Sequence, residues 1–183
     1  MDRIVVQAAA FDAGAEIASL REHDASVGAV AAFVGQVRDL NGAQGVDVLE
    51  LEHYPGMTEA SLAAIVADAH ARWSLRGVTV IHRVGPLKPC DPIVLVAVAS
   101  AHRGEAFQAC EFVMDFLKTE APFWKKETAD GVSRWVEARE RDDIAKQRWQ
   151  GAGADEATQD KATHDKATHD KATEGTRARP RRA

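Results

Sequence analysis

A chain of 183 residues, 45% of them hydrophobic and 28% charged, is sized for one domain with an appendage and can bury a core. No apolar run reaches the roughly 18 to 20 residues that cross a bilayer. The two cysteines, Cys90 and Cys110, form neither a CxxC pair nor a disulfide framework, so a membrane helix, a secreted disulfide scaffold and a zinc finger are excluded. The net charge is −5, and residues 1–150 hold 22 acidic against 16 basic side chains. Such an acidic body is a poor general polyanion binder, because nucleic-acid affinity rests on broad phosphate neutralisation. Any anionic ligand must therefore be met by cations gathered locally.

The chain opens on a β-branched segment, residues 4–8, with no basic leader, long apolar stretch or cleavage pattern, and a cytoplasmic setting is expected. Asp12 can cap a short helix through about residue 22. Residues 28–37, GAVAAFVGQV, read as a buried strand, and a Gly- and Asn-containing loop follows over 39–45. Val46, Val48 and Glu50 alternate with Asp47, Leu49 and Leu51, which predicts a long strand to Tyr54, broken by Pro55-Gly56. Leu62, Ile65, Val66, Ala69 and Trp73 fall at helical spacing and predict an amphipathic helix over 57–73.

Residues 78–83 and 93–100 read as two further strands, around a connection from Gly85-Pro86 to Pro92. Ala106, Cys110, Val113 and Leu117 mark a second amphipathic helix that ends before Pro122. Residues 123–128 and 133–137 flank Ala129-Asp130-Gly131, a hairpin signal, and 139–149 reads as a polar helix. Two hairpin-like pairs predict a mixed or antiparallel sheet with helices on one side, an α+β class.

Residues 155–174 read DEATQ-DKATH-DKATH-DKATE. Five residues is not a helical core period, and so polar a segment cannot offset the entropy of ordering it. Residues 151–183 are therefore expected to be a disordered tail beside a domain of 1–150. His164 and His169 could hold a metal weakly, and the Arg-rich end, residues 177–182, could touch RNA or acidic surfaces; a solvated, solubilising tail is the simpler reading.

Three stretches of the body gather the cations. In Gly35-Gln36-Val37-Arg38-Asp39 a strand delivers an arginine to the mouth of a loop. In Ser100-Ala101-His102-Arg103-Gly104 a strand end runs into a helix N-terminus, where free N–H groups and the helix dipole favour an anion. The competing reading there is that Ser100 caps the helix and both bases are solvated. The third stretch is Leu117-Lys118-Thr119-Glu120-Ala121-Pro122-Phe123-Trp124-Lys125-Lys126-Glu127. Lys118 falls in the last helical turn, where a cation complements the dipole. Lys125 and Glu127 share one strand face, with Lys126 opposite. Phe123 and Trp124 between the lysines point to a partly desolvated site, in which a lysine can do acid–base work.

Walker A, GxGxxG, GxSxG and HExxH patterns are all missing from the sequence. His53 and His82 sit in strand patterns and read as structural, Cys110 reads as inert core, and nothing near Cys90 argues for its activation.

Taken together and in order, FVGQVRD, LELEHYPGMTE, VTVIHRVGPL, SAHRGEAF, FLKTEAPFWKKE and RWVEARE resemble the large, catalytic subunit of molybdopterin synthase, the MoaE family. The resemblance runs from about Arg3 to Trp149 and leaves the repeat tail outside. It implies an α/β hammerhead-type fold with a β-hairpin subdomain, and a homodimer at the centre of a heterotetramer. Each large subunit would bind a small ubiquitin-like subunit whose C-terminal Gly-Gly carries a thiocarboxylate. That group would donate sulfur to cyclic pyranopterin monophosphate, and two rounds would complete the dithiolene of molybdopterin.

By the same resemblance, Lys118 and Lys125 are the catalytic candidates. Arg38, His102 and Arg103 belong to the substrate and phosphate pocket, Lys118, Lys125, Lys126 and Glu127 are expected to bind substrate with them, and Arg139 is a further contributor. Part of the pocket would come from across the dimer interface. Several relatives carry lysine where this chain has Gln36, so one positive charge near the phosphate is missing here. The sulfur arrives already activated, so the step is expected to need no metal or other cofactor, only positioning and electrostatics. No nucleic-acid or membrane partner is expected. The rival reading is a non-catalytic module of the same fold that docks a ubiquitin-like protein or a phosphorylated ligand; retention of both Lys118 and Lys125 favours the enzyme.

Overall fold

The structure is a computed structural model, and it describes residues 1–22, 24–41, 44–136 and 140–151. The chain divides into two units, Met1–Lys146 and Gln147–Ala183. The pentapeptide repeat, the Arg-rich end and Arg139 lie outside the described residues.

The first unit opens with β1 (Arg3–Gln7) and α1 (Ala13–Arg21), which Asp12 caps by accepting from the N–H groups of Gly14 and Ala15 at 2.8 and 3.1 Å. β2 (Ala29–Gln36) follows, then the short β3 (Leu40–Asn41) and β4 (Gln44–Gly45), then β5 (Val48–His53). α2 (Met57–Arg72) begins behind Gly56, whose φ of +83° a side chain rarely adopts. β6 (Leu75–Arg83), β7 (Gly85–Leu87) and β8 (Pro92–Ser100) lead into α3 (Arg103–Glu120). β9 (Phe123–Ala129) and β10 (Val132–Val136) form the expected hairpin, turning at Asp130 and Gly131, both at positive φ. α4 (Glu140–Gly151) is polar, as its sequence predicts.

The strands build two four-stranded sheets where a single sheet was expected, besides the β3–β4 ribbon. One has the order β1-β6-β8-β2, mixed because β1 runs parallel to β6 and the rest are antiparallel. The other, wholly antiparallel, has the order β10-β9-β5-β7. β7 is the strand hidden in the stretch read as a connection.

Helices cover both faces of the first sheet, not one. Ile81, Leu95 and Ala97 pack with Phe11, Ile17 and Leu20 of the α1 region. The alternate residues Val78, Val80, Val96 and Val98 are also fully buried, and strand alternation turns them to the other face, where α2 and α3 lie. β2, read as a buried strand, is instead an edge strand paired only with β8, and Phe33 and Val34 are each 41% exposed. In the second sheet, Leu49, Leu51 and Leu87 join Val37 and Val46 in a separate small core. The chain passes from α3, which covers the first sheet, to β9 of the second through a two-residue link, and that link marks the seam between the sheets.

Candidate active site

A cavity of about 680 Å³ lies at that seam. Its floor is apolar, with Leu49, Leu51, Ile93, Met114, Leu117 and Phe123 among its lining residues. Three cations also line it: Arg38, Lys118 and Lys125, all solvent-exposed. An apolar floor with a few convergent polar groups is the usual build of a small-molecule site.

Each cation is brought there by a local device. The β2–β8 register shifts between Gly35 and Gln36, and a Cβ on Gly35 would stand 2.8 Å from Val94 Cγ1, so only glycine fits that approach. Beyond this irregularity Val37 is buried, donating its N–H to the Asp91 carbonyl at 2.9 Å while its own carbonyl accepts from Cys90 N–H at 2.9 Å. Arg38 thereby leaves an anchored neighbour at the cavity mouth. Lys118 stands in the last turn of α3, whose buried stripe includes Phe112, Val113 and Leu117. The chain then turns through Ala121 and Pro122, and Lys125 is the third residue of β9. β9 is held on both sides, with Lys125 opposite Leu51 of β5 and Val136 of β10.

His82, which the sequence marks only as a strand histidine, also lines the cavity. It is 6% exposed, stacks on Phe123 with centroids 3.8 Å apart, and its Nδ1 lies 2.8 Å from the Arg83 carbonyl. A carbonyl only accepts, so Nδ1 carries the hydrogen, and the neutral ring keeps its lone pair on Nε2. Burial pushes its pKa down to about 4, against the pull of that hydrogen bond, with Lys125 and His53 adding to the fall. Cys110 is buried with its Sγ 3.7 Å from the Val96 carbonyl, and burial pushes its thiol up to about 11, as an inert core cysteine requires.

A family model described as MoaE protein matches residues 6–120. A molybdopterin synthase catalytic subunit of Ralstonia nicotianae is 62% identical over 149 residues, 81% of this chain and 85% of the relative. The solved molybdopterin cofactor biosynthesis protein E of Burkholderia multivorans superposes with a TM-score of 0.70 at 56% identity, covering 82% of this chain and 97% of the other. The chain belongs to the MoaE family. A Helicobacter pylori chain, solved as a protein–protein complex of subunits 1 and 2 of molybdopterin-converting factor, shares the fold with a TM-score of 0.62 at 18% identity. It covers 75% of this chain and 91% of that one.

As a MoaE chain, the molecule brings together only some of the residues named from sequence. Arg38, Lys118 and Lys125 line one cavity. His102 and Arg103 do not: they are exposed at the opposite end of α3, and fifteen residues of helix place Arg103 roughly 22 Å along the axis from Lys118. Ser100 is not the cap of that helix. His102 takes the N-cap position without a side-chain cap bond, while the Ser100 hydroxyl lies 2.5 Å from Glu105 Oε2 and 3.1 Å from the Ser74 carbonyl.

Lys126 turns to the outer face, where its Nζ donates to Glu50 Oε2 at 3.0 Å and lies 5.8 Å from the Trp135 ring centroid. Glu127 is buried, 5% exposed, and pairs with Arg134 at 3.4 Å. Neither lines the cavity. The desolvation expected around the lysines is also absent from this chain, since both are exposed and Trp124, 49% exposed, sits on the face opposite Lys125. Phe33, Met114 and His82 are among the lining residues that sequence reasoning missed, with Leu49, Leu51 and Ile93. For His82 a signal existed: it ends the apolar run of VTVIHR, where a polar residue on a buried face needs a reason.

Proposed function

We propose that this chain is the catalytic subunit of a molybdopterin synthase, a cytoplasmic sulfurtransferase that converts cyclic pyranopterin monophosphate to molybdopterin. Sulfur comes from the C-terminal thiocarboxylate of a small ubiquitin-like subunit. The observation that carries this reading is the cavity that sets Lys118, Lys125 and Arg38 around an apolar floor. A flat pterin fits the floor, and both the cyclic phosphate and the thiocarboxylate are anions that the three cations attract. The enzymatic domain spans residues 1–150, and 151–183 is an appendage outside the reaction.

Lys118 faces the thiocarboxyl carbon and stabilises charge, or carries a proton, as water attacks that carbon, the acyl–sulfur bond breaks, sulfur stays on the pterin and the small subunit leaves as a carboxylate. Lys125 stands nearer the pterin and assists ring opening and sulfur addition. Arg38 holds the phosphate side of the precursor. His102 and Arg103 are too far along α3 to serve the cavity of their own chain, which supports a homodimer in which each copy lends them to the other's site. The H. pylori chain of this fold was solved with a second subunit, which fits a small-subunit partner here.

The test is direct: incubate the purified chain with thiocarboxylated small subunit and cyclic pyranopterin monophosphate, oxidise, and read the fluorescence of the molybdopterin product. Product formation is expected. Tight small-subunit binding with no product would favour the docking-module reading instead.

A further inference from the structure

We propose that Thr58 is a positioning residue for this reaction: its buried hydroxyl ties the first turn of α2 to the Ala121-Pro122 turn and so fixes the spacing of Lys118 and Lys125. The proposal deepens the synthase reading and rests on it. Thr58 is fully buried, and its Oγ1 accepts from the Tyr54 N–H at 3.2 Å. An N–H can only donate, so the hydroxyl proton is left for its second neighbour, the Pro122 carbonyl, also at 3.2 Å. One side chain therefore joins residues 64 apart in the sequence, and both its roles are set by its partners.

The joint is placed where it matters for the two amines. α3 is fixed by its buried stripe and β9 by pairing with β5 and β10, so each lysine sits on an anchored element. Only Ala121 and Pro122 lie between those elements, and proline has no N–H to contribute. Within the turn, Phe123 N–H donates to the Ala121 carbonyl at 2.8 Å, and the Phe123 ring rests on His82. The Thr58 bond supplies the hold on the other side.

Thr58 is itself held rigidly. Its N–H donates to the Tyr54 carbonyl at 2.9 Å, and Glu59 Oε2 accepts from Gly56 N–H at 2.6 Å, closing the start of α2. The YPGMTE segment is thereby given work that its distance from the cavity hides. Neither Tyr54, Thr58 nor Glu59 lines the cavity, yet together they brace the turn that does.

Thr58→Val keeps the shape and removes the hydroxyl, leaving Tyr54 N–H and the Pro122 carbonyl without it; Thr58→Ser keeps the hydroxyl. Misplacement of reacting groups by about 1 Å can cost on the order of 100-fold in rate. The expected result is a kcat for Thr58→Val about 10- to 100-fold below wild type. KM for the precursor and affinity for the small subunit should change little, and Thr58→Ser should recover most of the rate. Thr58→Ala, which adds no bulk, is measured in parallel and should show the same loss.

Leu62→Ala opens a cavity in the same helix without touching the turn. It should lower Tm at least as much while keeping kcat per folded molecule. Wild-type kcat in Thr58→Val and Thr58→Ala, equal impairment in Thr58→Ser, or an equal loss of kcat in Leu62→Ala would each overturn the inference while leaving the synthase reading intact. A wild-type chain that makes no molybdopterin would overturn both.

Discussion

The inner strands of the β1-β6-β8-β2 sheet, β6 and β8, are sealed on both faces, whereas the β10-β9-β5-β7 sheet is sealed on one. Along β8, every residue from Val94 to Ser100 is buried. Along β9 and β10 burial is partial, and Trp124 and Trp135 stand about half-exposed on an outer face shared with the Lys126–Glu50 pair. A sheet covered on both sides needs continuous apolar runs, while a half-covered one can alternate core and polar positions and spare side chains for chemistry. The cavity belongs to neither sheet alone. Lys118 comes from the helix that covers the first, Lys125 from a strand of the second, and their meeting depends on the connection between them.

The largest effect should come from removing a lysine at that seam. Lys118→Ala is expected to lower single-turnover rate by about 10² to 10⁴-fold with fold and small-subunit affinity kept. Lys125→Ala should be severely impaired too, with partly sulfurated intermediate accumulating. Near-wild-type rates for Lys118→Ala would break the assignment of chemistry to the seam.

The sealed sheet predicts the opposite pattern. Phe112 is fully buried on α3, in edge contact with Trp73, 4.4 Å from Phe116 between centroids, and under the Arg72 guanidinium. Phe112→Ala should lose about 3 to 5 kcal/mol of stability in urea unfolding. Turnover per folded molecule should stay close to wild type at a temperature where the variant remains native. A large rate loss without a stability loss would erase the distinction between wall and site.

His82 links the two sheets, being a residue of the first stacked on Phe123 of the second. Its ring titrates near 6.5 when unfolded and near 4 when buried, so between those values the unfolded chain holds the extra proton. Its contribution is therefore complete above about pH 6.5 and is lost as pH falls toward 4, up to about 3 kcal/mol. His82→Phe, which keeps a stacking ring and cannot titrate, should flatten that part of the stability–pH curve. An unchanged slope in His82→Phe would assign the loss to other groups.

Local signals in the sequence placed α2, α3, the β9–β10 hairpin and the Asp12 cap, because spacing, proline and turn residues act over a few positions. The partition into two sheets was not legible. Arg3 pairs with Thr79 and Val48 with Thr128, and periodicity reports which face a residue uses but not which strand lies beside it. The same limit shaped the site. Arg38, Lys118 and Lys125 could be picked out because cations are conspicuous in an acidic body. Phe33 and Met114 could not, because a cavity's apolar half has the composition of core, and His82 stood out only as a polar residue at the end of an apolar run. Trp124 drew attention as an aromatic beside a lysine, yet strand alternation sends it outward and brings Phe123 in.

The smallest expected effect compares adjacent lysines on the half-covered sheet. Lys125 lines the cavity, while Lys126 points to the other face and pairs with Glu50 at 3.0 Å, both side chains about a third exposed. A pair so open to water is screened, and its loss costs about 0 to 1 kcal/mol. Contact with the Trp135 ring, itself more than half exposed, adds about 0.5 to 1 kcal/mol at most. Lys126→Ala should therefore shift the unfolding midpoint slightly and leave turnover within a few-fold of wild type, although it removes the same charge one residue from Lys125. Measured side by side, the two variants separate position from charge. If charge near the cavity were what mattered, both would lose rate together and the loss at Lys126 would shrink in high salt. If placement at the seam is what matters, only Lys125→Ala will fail.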